Sequence, residues 1–199
     1  MIIGITPSVK EIYKNQFEYC VDINLIKLIR FIFKKAKILI INDEIKYFKK
    51  LNFIILSGGN DIYKNKKLRK NKIRNELDRK ILTYGVKRKI PVLGLCYGAQ
   101  FISYFFGNKI LKVNGHVNKK NTIFFKKKIF KKKQIKIKCF HHYSFYDYKK
   151  FETIGVSKRK NVEFFKVLNQ KIYGIMWHPE REPYLQNFHK KLIKKICNS

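Results

Sequence analysis

Cys96 stands between Gly94 and Gly98 at the end of an apolar run, Ile90 to Leu95, and a helix-compatible stretch from Ala99 to Phe106 follows at once. Small residues on both sides allow a sharp strand-to-helix turn that leaves the central side chain exposed at the carboxyl edge of a sheet. The helix N-terminus beneath Cys96 favours negative charge, and so favours thiolate over thiol. A thiolate nucleophile needs a base, and the base needs an orienting group. The chain holds His116, His141, His142, His178 and His189, and only His178 has a suitable setting. The short apolar strand expected over Ile172 to Trp177 runs directly into His178-Pro179-Glu180. Proline ends the strand and stiffens the turn, and Glu180 can return its carboxylate to the imidazole. Alone, either piece fits a buried core cysteine or an ordinary surface turn. Together they read as a triad with Cys96 as nucleophile, His178 as general base and acid, and Glu180 as orienter.

A tetrahedral intermediate also needs donors already in place for its negative charge. Phe53 to Leu56 reads as another strand, and it ends in Ser57-Gly58-Gly59-Asn60-Asp61. Adjacent glycines let backbone N–H groups approach a ligand without side-chain obstruction. The expected oxyanion donors are the N–H groups of Gly59 and Tyr97.

The elements that must carry these residues are legible as alternation. Strand-like runs at Ile2 to Thr6, Ala36 to Ile41, Phe53 to Leu56 and Ile90 to Leu95 alternate with helical stretches near Leu25 to Lys34, Lys72 to Lys87 and Ala99 to Phe106. This predicts an α/β fold, a mainly parallel sheet flanked by helices on both faces. Lysine-broken short strands from Lys109 to Gln134 suggest antiparallel hairpins, and a helix from Pro183 to Ile196 closes the chain. No Pro/Ser/Gly-rich linker or internal repeat divides the 199 residues, so one catalytic domain over residues 1–199 is expected.

The segments Ile55 to Tyr63 (ILSGGNDIY), Pro91 to Gln100 (PVLGLCYGAQ), Phe140 to Ser144 (FHHYS) and Gly174 to Glu182 (GIMWHPERE), with the MIIGITP start, arrive in a family order. Cys96 and His178 lie 82 positions apart. The chain resembles the class I glutamine amidotransferase family and, within it, the γ-glutamyl hydrolase branch. The resemblance implies a flavodoxin-like fold and cysteine-dependent hydrolysis of γ-glutamyl amides through a glutamyl thioester, without metal or organic cofactor. It also implies that Gln100, His141 and Gly58 hold the glutamyl group. Three positions depart from the branch pattern. Tyr97 replaces its usual Arg, as in ammonia-supplying amidotransferase domains; Arg74-Asn75-Glu76-Leu77-Asp78 replaces R-D-x-x-E; Lys138-Cys139 replaces the N-S before Phe140-His141. The alternative is therefore a glutaminase subunit that supplies ammonia to a separate synthetase partner. For a hydrolase, a small-molecule γ-glutamyl amide is the expected substrate, in particular a γ-glutamyl nucleotide amidate. Arg181 and the lysines of the 64–72 insertion are then the expected phosphate contacts.

Cys20, Cys96, Cys139 and Cys197 show no C-x-x-C spacing and no disulfide framework, which suits a reduced cytoplasm. The MIIGITPS start lacks the basic and apolar regions of a leader, and no apolar run approaches the roughly 18 residues of a membrane span. Metal binding is not expected, because histidines and cysteines do not gather at ligand spacing and His141 and His142 would diverge on a strand. The net charge of +33 would ordinarily suggest nucleic acid. Phe124, Phe125 and Phe130 even interleave with Lys126 to Lys128 and Lys131 to Lys133. Yet lysine outnumbers arginine 39 to 7, and Ile, Asn, Phe and Tyr are abundant, a mixture that A/T-rich codons produce without selection for binding. No specific nucleic-acid partner is expected, and a non-catalytic nucleic-acid-binding protein is the remaining alternative.

Overall fold

The computed structural model describes residues 1–42, 50–62, 68–113 and 117–199. In chain order the elements are β1 (Ile2–Thr6), β2 (Ser8–Tyr13), β3 (Gln16–Cys20), α1 (Ile23–Ile32), β4 (Lys37–Ile40), β5 (Phe53–Leu56), α2 (Arg69–Arg88), β6 (Val92–Leu95), α3 (Tyr97–Phe105), β7 (Leu111–Lys112), β8 (Lys119–Ile129), β9 (Lys132–Cys139), β10 (Tyr143–Ser144), β11 (Phe151–Ser157), β12 (Val162–Val167), β13 (Ile172–Ile175) and α4 (Gln186–Cys197). A nine-stranded sheet runs in the order β4-β1-β5-β6-β13-β12-β11-β8-β9. Its first five strands are parallel, and the remaining ladders are antiparallel.

The parallel half is built from strands that bury both faces. All four residues of β5 and of β6 are buried, as expected where helices cover a parallel sheet on each side. Alternation then sorts them. Phe53 and Ile55 join Leu28, Ile29, Leu192 and Ile193 of α1 and α4, while Ile54 and Leu56 join Leu77, Ile81, Phe101 and Ile102 of α2 and α3. The carboxyl ends of β5, β6 and β13 emerge side by side, and each candidate motif follows one of them.

In the antiparallel half β12 is still buried on both faces, but the outer pair β8 and β9 covers only one. Ile123 and Phe125 of β8 and Ile135 and Ile137 of β9 are buried, with exposed Phe124 and Lys136 between. Phe125 stacks on Phe188 of α4, ring centroids 6.0 Å apart, so the phenylalanines here do not share one lysine-lined surface. Three features differ from the sequence reading. Arg69 to Lys72 form the first turn of α2 rather than an inserted loop, because polar and basic residues gave the helix no apolar start. Ser8 to Cys20 form a β2–β3 hairpin. Phe151 to Val167 supply two sheet strands. No helix among the described residues is long and apolar enough to cross a membrane.

Candidate active site

Cys96 has φ 49 and ψ −103 and caps α3. A non-glycine residue there carries strain on the order of 1–3 kcal/mol that its surroundings must hold. They do so from both sides. The Cys96 N–H donates to the Ile175 carbonyl at 2.8 Å, and its carbonyl accepts from the Gln100 N–H at 3.0 Å. The flanking glycines are steric requirements. A Cβ on Gly98 would lie 2.1 Å from the Leu56 carbonyl oxygen, and one on Gly94 would lie 2.5 Å from the Gly98 backbone.

Beyond β13 the chain turns through Pro179–Arg181, and His178 Nδ1 donates to Glu180 Oε1 at 2.6 Å. That bond leaves Nε2 for Cys96. Burial would by itself raise the Cys96 thiol, but the His178 charge and hydrogen bond outweigh it, with help from His141, and hold the thiol below its ordinary 9.0. Burial likewise pulls His178 down, while the facing thiolate and then Glu180 lift it to about 10. Both shifts favour the thiolate–imidazolium form of the pair. Gly58 lies against this pair. A Cβ there would come within 2.6 Å of His178 Cε1 and 3.6 Å of Cys96 Cβ, so the residue expected to hold substrate sits where any side chain would displace the imidazole.

The loop after β5 is fixed from below by Arg74 of α2. Its fully buried guanidinium pairs with Asp78 at 2.7 Å and donates to Thr6 Oγ1 at 2.8 Å, to the Ser57 carbonyl at 3.0 Å and to the Pro7 carbonyl. It also lies 4.9 Å from the Tyr97 ring centroid, and the Tyr97 hydroxyl donates to Asn75 Oδ1 at 2.5 Å. One cation thus joins the end of β1, the glycine loop and the first residue of α3. Gly59, with φ 124, has Ser8 against its open side, and Tyr97 opens α3, where the first N–H groups have no intrahelical acceptor.

A cavity of about 180 Å³ opens beside Cys96 and is lined by Gly59, Gln100, His141, His142 and His178 among others. Gln100 Nε2 donates to the Tyr143 carbonyl at 2.9 Å. Its amide is therefore held in one orientation as a wall of that cavity. His141 is buried and His142 exposed, on a non-strand segment. His116 and Tyr63 lie outside the described residues, as do Lys64, Lys66 and Lys67; Lys72 pairs with Glu76 at 3.9 Å. Arg181 is at the mouth, 4.9 Å over the Phe140 ring and 3.3 Å from Asp22.

Sequence spacing gave no sign of a second cluster. The donor atoms of Cys139, His141 and Glu163, all buried, lie within 4.8 Å of one another. His141 Nδ1 donates to the Tyr143 carbonyl at 3.0 Å, which turns Nε2 toward Glu163 Oε2 at 3.6 Å. Fixing Nδ1 in this way is also how a ligand histidine is oriented. Burial opposes a charge on His141, yet its bonds to Cys139 and Glu163 hold it well above its ordinary value. The one advance signal was Glu163, a lone acid inside the apolar strand Val162–Val167.

Known proteins share this chain's sequence pattern and fold. Residues 13–195 match the glutamine amidotransferase class-I family. The γ-glutamyl-CDP-amidate hydrolase of Campylobacter jejuni subsp. jejuni is 32% identical over 200 residues, covering 94% of each chain. A glutamine-hydrolysing GMP synthase subunit of Methanococcus aeolicus is 31% identical over 159 residues, 77% of each chain. A candidate GMP synthase subunit of Thermoplasma acidophilum shares the fold, with a TM-score of 0.75 at 19% identity, covering 100% of this chain and 94% of that one. A glutamine amidotransferase of Thermotoga maritima does so at 0.69 and 16%, covering 98% and 84%. This chain is an amidohydrolase that belongs to the class I glutamine amidotransferase family.

Proposed function

We propose that the chain hydrolyses γ-glutamyl amides, with Cys96, His178 and Glu180 as its catalytic group. The observation that carries this reading is the strained Cys96 backbone, which sets the thiol beside His178, whose Nδ1 is tied to Glu180 at 2.6 Å. The Cys96 thiolate attacks the γ-carbonyl carbon, and the oxyanion is met by the N–H groups of Gly59 and Tyr97. His178 gives its Nε2 proton to the departing nitrogen as the C–N bond breaks, leaving a glutamyl thioester. Water then attacks, its proton passes to His178, the C–S bond breaks, and glutamate leaves with the thiolate–imidazolium pair restored. Gln100 and His141 wall the cavity for the glutamyl group, and Gly58 leaves His178 its room.

The likeness to the γ-glutamyl-CDP-amidate hydrolase supports a leaving group larger than ammonia. A second reading, glutaminase supply of ammonia to a synthetase, is favoured by the glutamine-hydrolysing GMP synthase relatives and by Tyr97 after the nucleophile. Glutamate release from glutamine and from several γ-glutamyl amides by the purified chain separates the two. Hydrolysis of a substituted amide without any added protein, lost in Cys96→Ala, is expected. Release from glutamine alone, and only with a synthetase present, would favour the second reading.

A further inference from the structure

Two cavities adjoin at His178, which lines both of them together with Gly59 and Arg181. The first, of about 180 Å³, contains Cys96, Gln100 and His141. The second, of about 260 Å³, lies along His178 and Glu180 and is walled by Ser8, Lys10, Asp22 and Arg181. It does not reach Gln100 or His141. In the proposed reaction the departing nitrogen must receive the His178 proton, so whatever it carries extends along the His178 side. Ammonia is about the size of water, whose share of liquid volume is about 30 Å³. The second cavity is several times larger than ammonia needs.

Its walls are preformed. The Val9 N–H donates to Asn60 Oδ1 at 2.9 Å and Asn60 Nδ2 donates to the Val9 carbonyl at 3.0 Å, which locks the β2–β3 hairpin to the glycine loop. Ser8 Oγ donates to the Cys20 carbonyl at 3.0 Å, and the ideal Cβ of a residue at 59 would lie 2.7 Å from Ser8 Cβ. Its carboxylates are committed. Asp22 accepts from the Asn24 N–H at 2.9 Å and pairs with Arg181, and Glu180 holds His178. Arg181 is kept in place by Asp22 and the Phe140 ring. Lys10 is exposed and has no carboxylate partner among the described residues. The cavity therefore offers one guanidinium of fixed position and one uncommitted ammonium, a pairing suited to a phosphate.

We propose that this second cavity is the leaving-group subsite, and that Lys10 and Arg181 select γ-glutamyl amides whose amine carries a phosphate. The proposal rests on the hydrolase reading above.

The test compares γ-glutamyl-phosphoethanolamine with γ-glutamyl-ethanolamine, two amides that differ only in the phosphate. Wild-type enzyme should favour the phosphorylated amide at least tenfold in kcat/KM. Lys10→Ala should reduce that ratio about tenfold, mainly through KM, and Lys10→Arg should restore it. A ratio near one in wild type, or one indifferent to Lys10, overturns the subsite while leaving γ-glutamyl hydrolysis standing. Titration of Cys96→Ser protein with γ-glutamyl-phosphoethanolamine reads the cavity without turnover. Binding weakened about tenfold by Lys10→Ala supports the subsite even if neither amide is hydrolysed, in which case the hydrolase reading alone fails. Absent or Lys10-independent binding overturns it.

Discussion

Among the described residues lie two cysteine–histidine–glutamate groups, Cys96–His178–Glu180 and Cys139–His141–Glu163, and they differ in nearly everything except residue type. Cys96 sits on a strained turn beside a cavity, with its thiol below the usual value. Cys139 ends a regular strand, is fully buried, and burial pushes its thiol up despite the adjacent His141. The imidazole orientation differs too. His178 gives Nδ1 to its glutamate and keeps Nε2 for the cysteine, whereas His141 gives Nδ1 to a backbone carbonyl and presents Nε2 to glutamate and cysteine together. What sets the proposed nucleophile apart is therefore not the residue triplet but backbone strain, access and the division of the two ring nitrogens.

The largest expected effect separates the two cysteines directly. Cys96→Ala should lower turnover on the order of 10⁴-fold or more with the thermal midpoint little changed, as loss of one triad member commonly does. Cys139→Ala should stay within tenfold in turnover. Comparable losses in steady-state kinetics would mean the two groups act as one.

Next comes a contrast between the glutamates. Glu163→Leu removes the carboxylate facing a buried, charged His141 and should cost about 3–5 kcal/mol of stability in denaturant titration, the usual penalty for breaking a buried pair. Glu180→Gln should instead show mainly in catalysis, lowering kcat/KM about tenfold or more. Its sign in pH follows from Glu180 helping to lift His178 to about 10. Without the carboxylate the imidazolium loses its proton at lower pH, so the alkaline limb of kcat/KM moves down. An unmoved limb would show that Glu180 does not stabilise the charge.

The smallest effect concerns the link between the groups. The His141 charge helps lower the Cys96 thiol. Weakening that charge with Glu163→Gln should raise the Cys96 pKa and move the acid limb of kcat/KM upward. No shift would make the second group purely structural.

The first group was legible in sequence because each member follows a short apolar strand and a glycine or proline marks the turn. The parallel half was legible for a related reason, since strands buried on both faces read as unbroken apolar runs. The second group was not. Cys139 and Glu163 come from strands β9 and β12, which the sheet order separates by two others, and no local periodicity connects them. Arg74 and Asp78 had the i, i+4 spacing of a helical pair, but only the fold shows that the pair is buried and reaches Pro7 and Ser57. The hairpin at Ser8–Cys20 was hidden by its exposure. Val9 alone is buried there, and the turn at Lys14-Asn15 is marked only by Asn15 at φ 64.

The most direct measurement is peptide mass mapping of enzyme quenched in acid during turnover of a γ-glutamyl amide. The account predicts a glutamyl mass on Cys96, increased when His178→Ala slows hydrolysis of the thioester relative to its formation. Glutamate release with Cys96 unmodified in both proteins, or a glutamyl mass on Cys139, would contradict it.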